Sequence, residues 1–340
     1  MKNQVLVTGV AGFIGSAVAE RLLADGHSVV GIDNLNDYYD PVLKEARLAR
    51  VEQSGHTKEW QFECMDISDQ LSIDQLFAKH KPKAVVHLAA QAGVRYSLEN
   101  PAAYVQSNLV GFGHILEGCR YQHVEHLVYA SSSSVYGGNR NLPFRETQAV
   151  NHPVSLYAAT KKANELMAHT YSHLYGLPAT GLRFFTVYGP WGRPDMAPML
   201  FAKSILEGEP IRVFNHGQMA RDFTFIDDIV EGVVRVLAKP ATPEVDFDPT
   251  QPDPATSWAP HRVFNIGNSA PTPLLEFISA LETSLGRKAI QHLQPMQPGD
   301  VEATAADTSA LEAWVGFRPS TPMVEGVAAF ASWYRQFYGC

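Results

Sequence analysis

Tyr157 and Lys161 stand four residues apart in a stretch whose pattern predicts a helix, so the two side chains share one face. A phenol is a poor base at its unperturbed pKa of about 10, and a fixed ammonium beside it favours the phenolate near neutrality. The pair therefore suits proton transfer to and from a hydroxyl group. In isolation such a pair reads better as a packed ring and a solvated lysine. Here two other signals precede it in chain order. One is the glycine-rich run Thr8-Gly9-Val10-Ala11-Gly12-Phe13-Ile14-Gly15, and the other is the serine cluster at positions 131–134, which follows an apolar strand-like run.

These groups need elements to hold them. Val5-Leu6-Val7, the glycine run and the amphipathic stretch from Ser16 predict strand, tight turn and helix. Such a turn lets backbone approach a pyrophosphate closely, and the helix N-terminus offers free N–H groups and partial positive charge. The spacing is G-x-x-G-x-x-G rather than G-x-G-x-x-G, so context carries the reading. A second strand, Ser28-Val29-Val30-Gly31-Ile32, ends in Asp33, placing an acid about 20 residues past the glycines, where a ribose-binding carboxylate belongs.

Further apolar runs predict strands over 60–64, 84–90, 126–130 and 178–185. Asp66, just past the third, either meets an adenine ring or caps the next helix. His87 reads as a packed strand residue, because no acid or nucleophile accompanies it. One long helix is expected over 101–121. Its Asn108 is a candidate support for the site, with a polar surface position as the plainer alternative. Residues 34–41 read as an excursion over the adenosine end or as solvated surface. The second half has shorter strands, a loop at 186–196 carrying Arg193, and a Pro/Asp/Thr-rich segment over 240–260 expected to be a mobile surface loop. The loop Gln297-Pro298-Gly299-Asp300-Val301 is expected to reach the cleft.

With 340 residues, an apolar fraction of 45% and a charged fraction of 18%, the chain is an ordinary globular protein long enough for one large and one smaller domain. A net charge of -8 argues against a nucleic-acid surface, and no run is apolar enough to span a bilayer. Three cysteines without paired spacing indicate neither a disulfide framework nor a zinc site, and no metal is expected. With no signal peptide at the start, these features predict a cytoplasmic protein.

Taken together, the glycine run, Asp33, Asp66-Ile67, His87-Leu88-Ala89-Ala90, the serines, Tyr157/Lys161 and residues 183–189 resemble the extended short-chain dehydrogenase/reductase family. The resemblance implies a Rossmann-type, doubly wound parallel α/β sheet for NAD over 1–185, completed by chain crossing back from the second half. A smaller C-terminal α/β domain, mainly 186–340, would bind a UDP-sugar. It implies Ser132, Tyr157 and Lys161 as the acid-base set. For NAD it implies Gly9, Gly12, Phe13, Ile14, Gly15, Asp33, Asn34, Asp66, Ile67, Leu88, Ala89 and Ala90 with Tyr157 and Lys161. It also implies Arg221 for the diphosphate and a homodimer packed through helices near 101–121 and 155–175.

Within that family, the segments 184–197, 33–39 and 296–301 resemble the UDP-glucuronate 4-epimerase subgroup. UDP-glucose 4-epimerases typically carry Asn where this chain has Thr186, and the related decarboxylases carry Thr-Ser-Glu where it has Ser132-Ser133-Ser134. The implied reaction passes through a 4-keto sugar that turns over and is reduced on its other face. Arg193, with Ser133, Ser134 and Thr186, is expected to hold the sugar carboxylate out of alignment for decarboxylation, although Arg193 also reads as a surface loop charge. Asp300 is expected near the substrate. Asp33 favours NAD over NADP. A decarboxylase, a 4-epimerase of another UDP-sugar and a non-catalytic NAD sensor are the competing readings.

Overall fold

Parallel strands covered by helices on two sides must be apolar on both faces, and the first half of the chain has that character. The computed structural model describes residues 4–54, 58–297 and 299–340. Among them twelve strands form in chain order: β1 (Gln4–Thr8), β2 (Ser28–Asp33), β3 (Trp60–Cys64), β4 (Ala84–His87), β5 (His126–Ser132), β6 (Ala179–Phe184), β7 (Thr186–Tyr188), β8 (Pro210–Val213), β9 (Ala220–Phe225), β10 (His261–Ile266), β11 (Pro271–Pro273) and β12 (Ile290–Leu293).

Seven of them build one sheet in the order β10-β6-β5-β4-β1-β2-β3, every neighbouring pair parallel. The fold is the doubly wound α/β sheet expected. Successive residues alternate faces. Val5, Val7, Val86 and Val128 pack with Val18 and Leu22 of helix Phe13–Ala24 and Ile229 and Val233 of helix Ile226–Leu237. Leu6, Val85 and Leu127 face the other way, onto Phe77, Ile115 and Ala168. Strand order reverses between β1 and β4, and a crevice opens outside the carboxyl ends at such a switch point.

The second half supplies β10 to the far edge of this sheet, in register with β6. It also forms the three-stranded β11-β9-β7 and the pair β12-β8. Residues 240–260 carry turns and irregular backbone. No described helix is long and apolar enough to cross a membrane.

The expected single helix over 101–121 needs correction. Its path is continuous, but regular α turns at Pro101–Tyr104 and Phe112–Tyr121 flank a wider π stretch at Val105–Gly111. Asn164 Nδ2 donates to the Asn108 carbonyl within that stretch at 2.6 Å. Single-turn π segments frequently accompany functional sites, and this one carries Asn108.

Candidate active site

The carboxyl ends of β1, β2, β4, β5 and β6 open onto a cavity of about 890 Å³. Every catalytic, cofactor-binding and substrate-binding residue implied by the resemblance lines it, whereas the candidate support Asn108 lies behind it. Gly9, Gly12, Phe13, Ile14, Gly15, Asp33, Asn34, Asp66, Ile67, Leu88, Ala89 and Ala90 come from the ends of β1 to β4. Ser132, Ser133, Ser134, Tyr157, Lys161, Thr186 and Arg193 come from the centre of the fold, and Arg221 and Asp300 from β9 and the loop near β12. Pro298 lies outside the described residues.

The glycine turn works by backbone contact. Gly9 has φ +70°, and a Cβ there would sit 2.7 Å from the Ala89 nitrogen. A Cβ on Gly15 would strike the Gly9 carbonyl oxygen. Helix Phe13–Ala24 then starts after Gly12 with no side-chain cap, leaving its N-terminus to the cavity. Asp33 accepts from Ala11 N at 3.1 Å and Leu35 N at 2.9 Å. Burial pushes its carboxyl up, and these two N–H groups, Lys44 and Arg47 oppose the push. Asn34 Nδ2 donates to Asp66 Oδ2 at 2.8 Å. Asp66 is not the helix cap that was its alternative reading, since Asp69 caps helix Gln70–His80 through Leu71 N and Ser72 N. A bare helix N-terminus, a turn that no side chain fits and a partly buried carboxylate at the end of the adjacent strand together fit a dinucleotide.

Ser155 caps helix Leu156–Tyr175 by accepting from Ala158 N at 3.1 Å. Tyr157 and Lys161 follow in its first turns. The Lys161 ammonium donates to the Ala130 carbonyl at 2.9 Å, and burial pushes its pKa down to about 8. Burial pushes the Tyr157 phenol up, while the Ser132 hydroxyl and the Arg193 guanidinium pull it down. Arg193, a cation that the spacing did not suggest, thus lies on the same cavity wall as Tyr157 and Lys161. Ser132 Oγ donates to Ser134 Oγ at 3.1 Å and accepts from Ser134 N. His87 is packed, within 2.8 Å of Thr8 Oγ1, and burial holds its pKa at about 3, so it is neutral.

Asn108 is buried rather than on the surface. It accepts from Gln91 N at 2.8 Å and donates to the Gln91 carbonyl and to Thr160 Oγ1, both at 3.0 Å. It therefore ties the chain leaving β4 to the helix bearing Tyr157. Glu165, one turn beyond Lys161, accepts from Ser131 Oγ at 2.7 Å and from both Arg183 Nε and Nη2. Burial works against its ionisation, yet Arg183 outweighs it and holds Glu165 at about 2. This pair fixes the same helix to the ends of β5 and β6. The spacing of Glu165 four residues after Lys161 was the one sequence signal for it.

Arg193 is half-buried and forks onto Asp195, Nε to Oδ1 at 3.1 Å and Nη2 to Oδ2 at 2.5 Å. Tyr38 OH donates to Asp195 Oδ2 at 3.1 Å. Behind this loop lies Arg47, which sequence reasoning missed. It is fully buried and donates to the Trp191, Gly192 and Ala11 carbonyls and to Tyr39 OH. Arg221 donates to the Ala220 and Glu302 carbonyls. Nearby Arg95, also missed, pairs with Asp300 at 3.1 Å and lies 5.0 Å from the Phe214 ring centroid. Burial lowers the Arg221 pKa, Asp300 opposes the effect, and Arg95 adds to it. Such a cluster is electropositive, as a diphosphate requires.

A doubly wound sheet with an open dinucleotide turn and a Ser/Tyr/Lys constellation beside it defines a class, and comparison gives that class a name. Residues 5–267 match the NAD dependent epimerase/dehydratase family, and the chain belongs to it. Among its relatives, the protein CapI of Staphylococcus aureus is 50% identical over 98% of this chain and 99% of its own. A probable UDP-glucuronate 4-epimerase of Rhizobium meliloti is 48% identical over 98% of this chain and 97% of its own. The crystal structure of a Bacillus cereus UDP-glucuronic acid 4-epimerase, in complex with UDP-glucuronic acid and NAD, superposes with a TM-score of 0.86. It shares 32% identity, covering 98% of this chain and 100% of that one.

Proposed function

We propose that this protein is an NAD-dependent 4-epimerase interconverting UDP-glucuronate and UDP-galacturonate through a 4-keto sugar. The observation that carries the reading is that Ser132, Tyr157, Lys161 and Arg193 line the same cavity as the glycine turn and Asp33. Relatives and a solved structure bearing the same activity in their names support it.

Gly9, Gly12, Gly15 and the N-terminus of helix Phe13–Ala24 would hold the pyrophosphate of NAD, with Asp33 on the adenosine ribose. When bound, NAD supplies a reversible hydride acceptor for C4 and a positive charge near the phenol. Tyr157 takes the proton of the sugar 4-hydroxyl and later returns one to the reformed hydroxyl. Ser132 fixes the 4-oxygen by a hydrogen bond. Lys161, its pKa lowered by burial to about 8, is anchored through the Ala130 carbonyl on the same helix face as Tyr157. Arg221, Arg95 and the loop around Asp300 grip the diphosphate, leaving the sugar free to present either face. Arg193, Ser133, Ser134 and Thr186 hold the carboxylate off the axis of the C4 carbonyl π system, which suppresses loss of carbon dioxide.

The test is incubation of the purified protein with UDP-glucuronate and no added reductant, followed by proton NMR and carbon dioxide measurement. UDP-galacturonate without carbon dioxide supports the proposal. UDP-pentose with carbon dioxide would make the protein a decarboxylase, and the absence of turnover would return it to a sensor or another sugar.

The protein is also proposed to be a cytoplasmic homodimer. Val105, Val110, Leu166, Leu174 and Tyr175 are exposed apolar residues on the helical path 101–121 and helix Leu156–Tyr175, and the free thiols of Cys64, Cys119 and Cys340 fit a reducing compartment. Sedimentation of Leu166→Glu as a monomer would support this packing.

A further inference from the structure

The fork of Arg193 is already filled by a carboxylate of the protein itself. Asp195 takes both the Nε and Nη2 edges of the guanidinium and keeps 29% of its side-chain surface, on the wall of the cavity. Tyr38, from the segment after Asp33 that the catalytic reading leaves unused, steadies Asp195 by donating to Oδ2. Mutual attraction holds both groups charged. Burial works against the Asp195 carboxylate, but Arg193 and Tyr38 outweigh it and keep its pKa low. Burial likewise opposes the Arg193 guanidinium, and Asp195 raises it.

A guanidinium presents one planar fork of this kind to a carboxylate at a time. We propose that Asp195 is an internal counter-carboxylate that exchanges with the substrate's carboxylate on Arg193. With no uronate bound, Asp195 satisfies the cation. On binding, the sugar carboxylate takes the fork and Asp195 turns to Tyr38 and solvent. While the 4-keto sugar rotates, its carboxylate must leave Arg193 and return, and Asp195 receives the guanidinium during that interval. A cation left unpaired at this depth would otherwise oppose the rotation. Asp195 thus lowers affinity for a uronate in exchange for faster rearrangement. The argument rests on the reading of Arg193 as the carboxylate ligand.

The experiment compares wild type, Asp195→Asn and Arg193→Ala, all loaded with NAD, for calorimetric affinity toward UDP-glucuronate and UDP-glucose. UDP-glucose carries the same diphosphate without the carboxylate, so the ratio removes the general effect of an added positive charge on that group. Asp195→Asn is expected to raise the UDP-glucuronate to UDP-glucose affinity ratio about tenfold, and to lower kcat and KM together. Crystals with UDP-glucuronate are expected to show the Arg193–Asp195 fork open, and crystals with UDP-glucose to show it closed. An unchanged or falling ratio in Asp195→Asn, or a fork closed with both sugars, overturns the exchange. Equal losses for the two sugars in Arg193→Ala overturn the carboxylate reading beneath it, a distinct result.

Discussion

Replacing Arg47 by Met keeps the aliphatic stem and removes a guanidinium with 0% of its surface exposed. Five bonds are lost: to Trp191 O at 3.1 and 2.7 Å, Gly192 O at 3.0 Å, Ala11 O at 3.1 Å and Tyr39 OH at 2.7 Å. Each bond from a charged donor is worth about 1.5–3 kcal/mol net. Burying the guanidinium offsets part of that total, which is why burial lowers the Arg47 pKa. Three carbonyls are left without this donor, and water from the adjoining cavity satisfies some of them. The net loss should be about 3–5 kcal/mol, read by urea denaturation followed by circular dichroism.

The same bonds hold Trp191 at φ +66°, a conformation costing a bulky residue about 1–3 kcal/mol. Their loss should release the loop carrying Arg193, so UDP-glucuronate affinity should fall about tenfold further than UDP-glucose affinity. Because Ala11 sits in the glycine turn, NAD affinity should fall as well. A stability loss below about 1 kcal/mol, or an Arg47→Lys protein indistinguishable from wild type, would refute the reasoning, since an ammonium cannot span the same acceptors.

Glu146 is buried, accepts from Asn265 N at 2.7 Å, and has its pKa raised by burial from 4.5 to about 7. The folded state therefore holds the proton more tightly than the unfolded state. Its contribution is complete below about 4.5 and is lost as pH rises through 7, at most about 3 kcal/mol. Glu146→Gln should gain on wild type between pH 5 and pH 8 in parallel denaturation curves, and a difference flat with pH would count against it. Asp33→Ala should bind NADP at least about tenfold better than wild type, measured by fluorescence titration, because its carboxylate repels a 2′-phosphate. Unchanged NADP affinity would show that another group sets the preference.

The sequence alone was enough for the order of elements in the first half, because there the signals are local. Apolar runs, glycine spacing and the four-residue step from Tyr157 to Lys161 each report on backbone that needs no distant partner to be recognised. The same holds for the family, since residues 8–15 and 184–197 are contiguous in the chain. What required tertiary structure is whatever joins distant segments. Arg47 reads as one more polar helix residue until its helix is laid against a loop 144 positions away. Asn108 reads as surface until a π turn and Gln91 surround it.

The charge beside Tyr157 was assigned to Lys161 because spacing places both on one face. Sharing a face does not fix a contact: the ammonium donates to the Ala130 carbonyl, and a loop from the second half adds Arg193 to the same cavity wall. The occupation of Arg193 by Asp195 was visible as a two-residue step, yet nothing in that step says whether the two side chains turn toward each other. Local periodicity determines which residues face the cavity. Which charges meet there depends on packing between segments that the sequence keeps far apart.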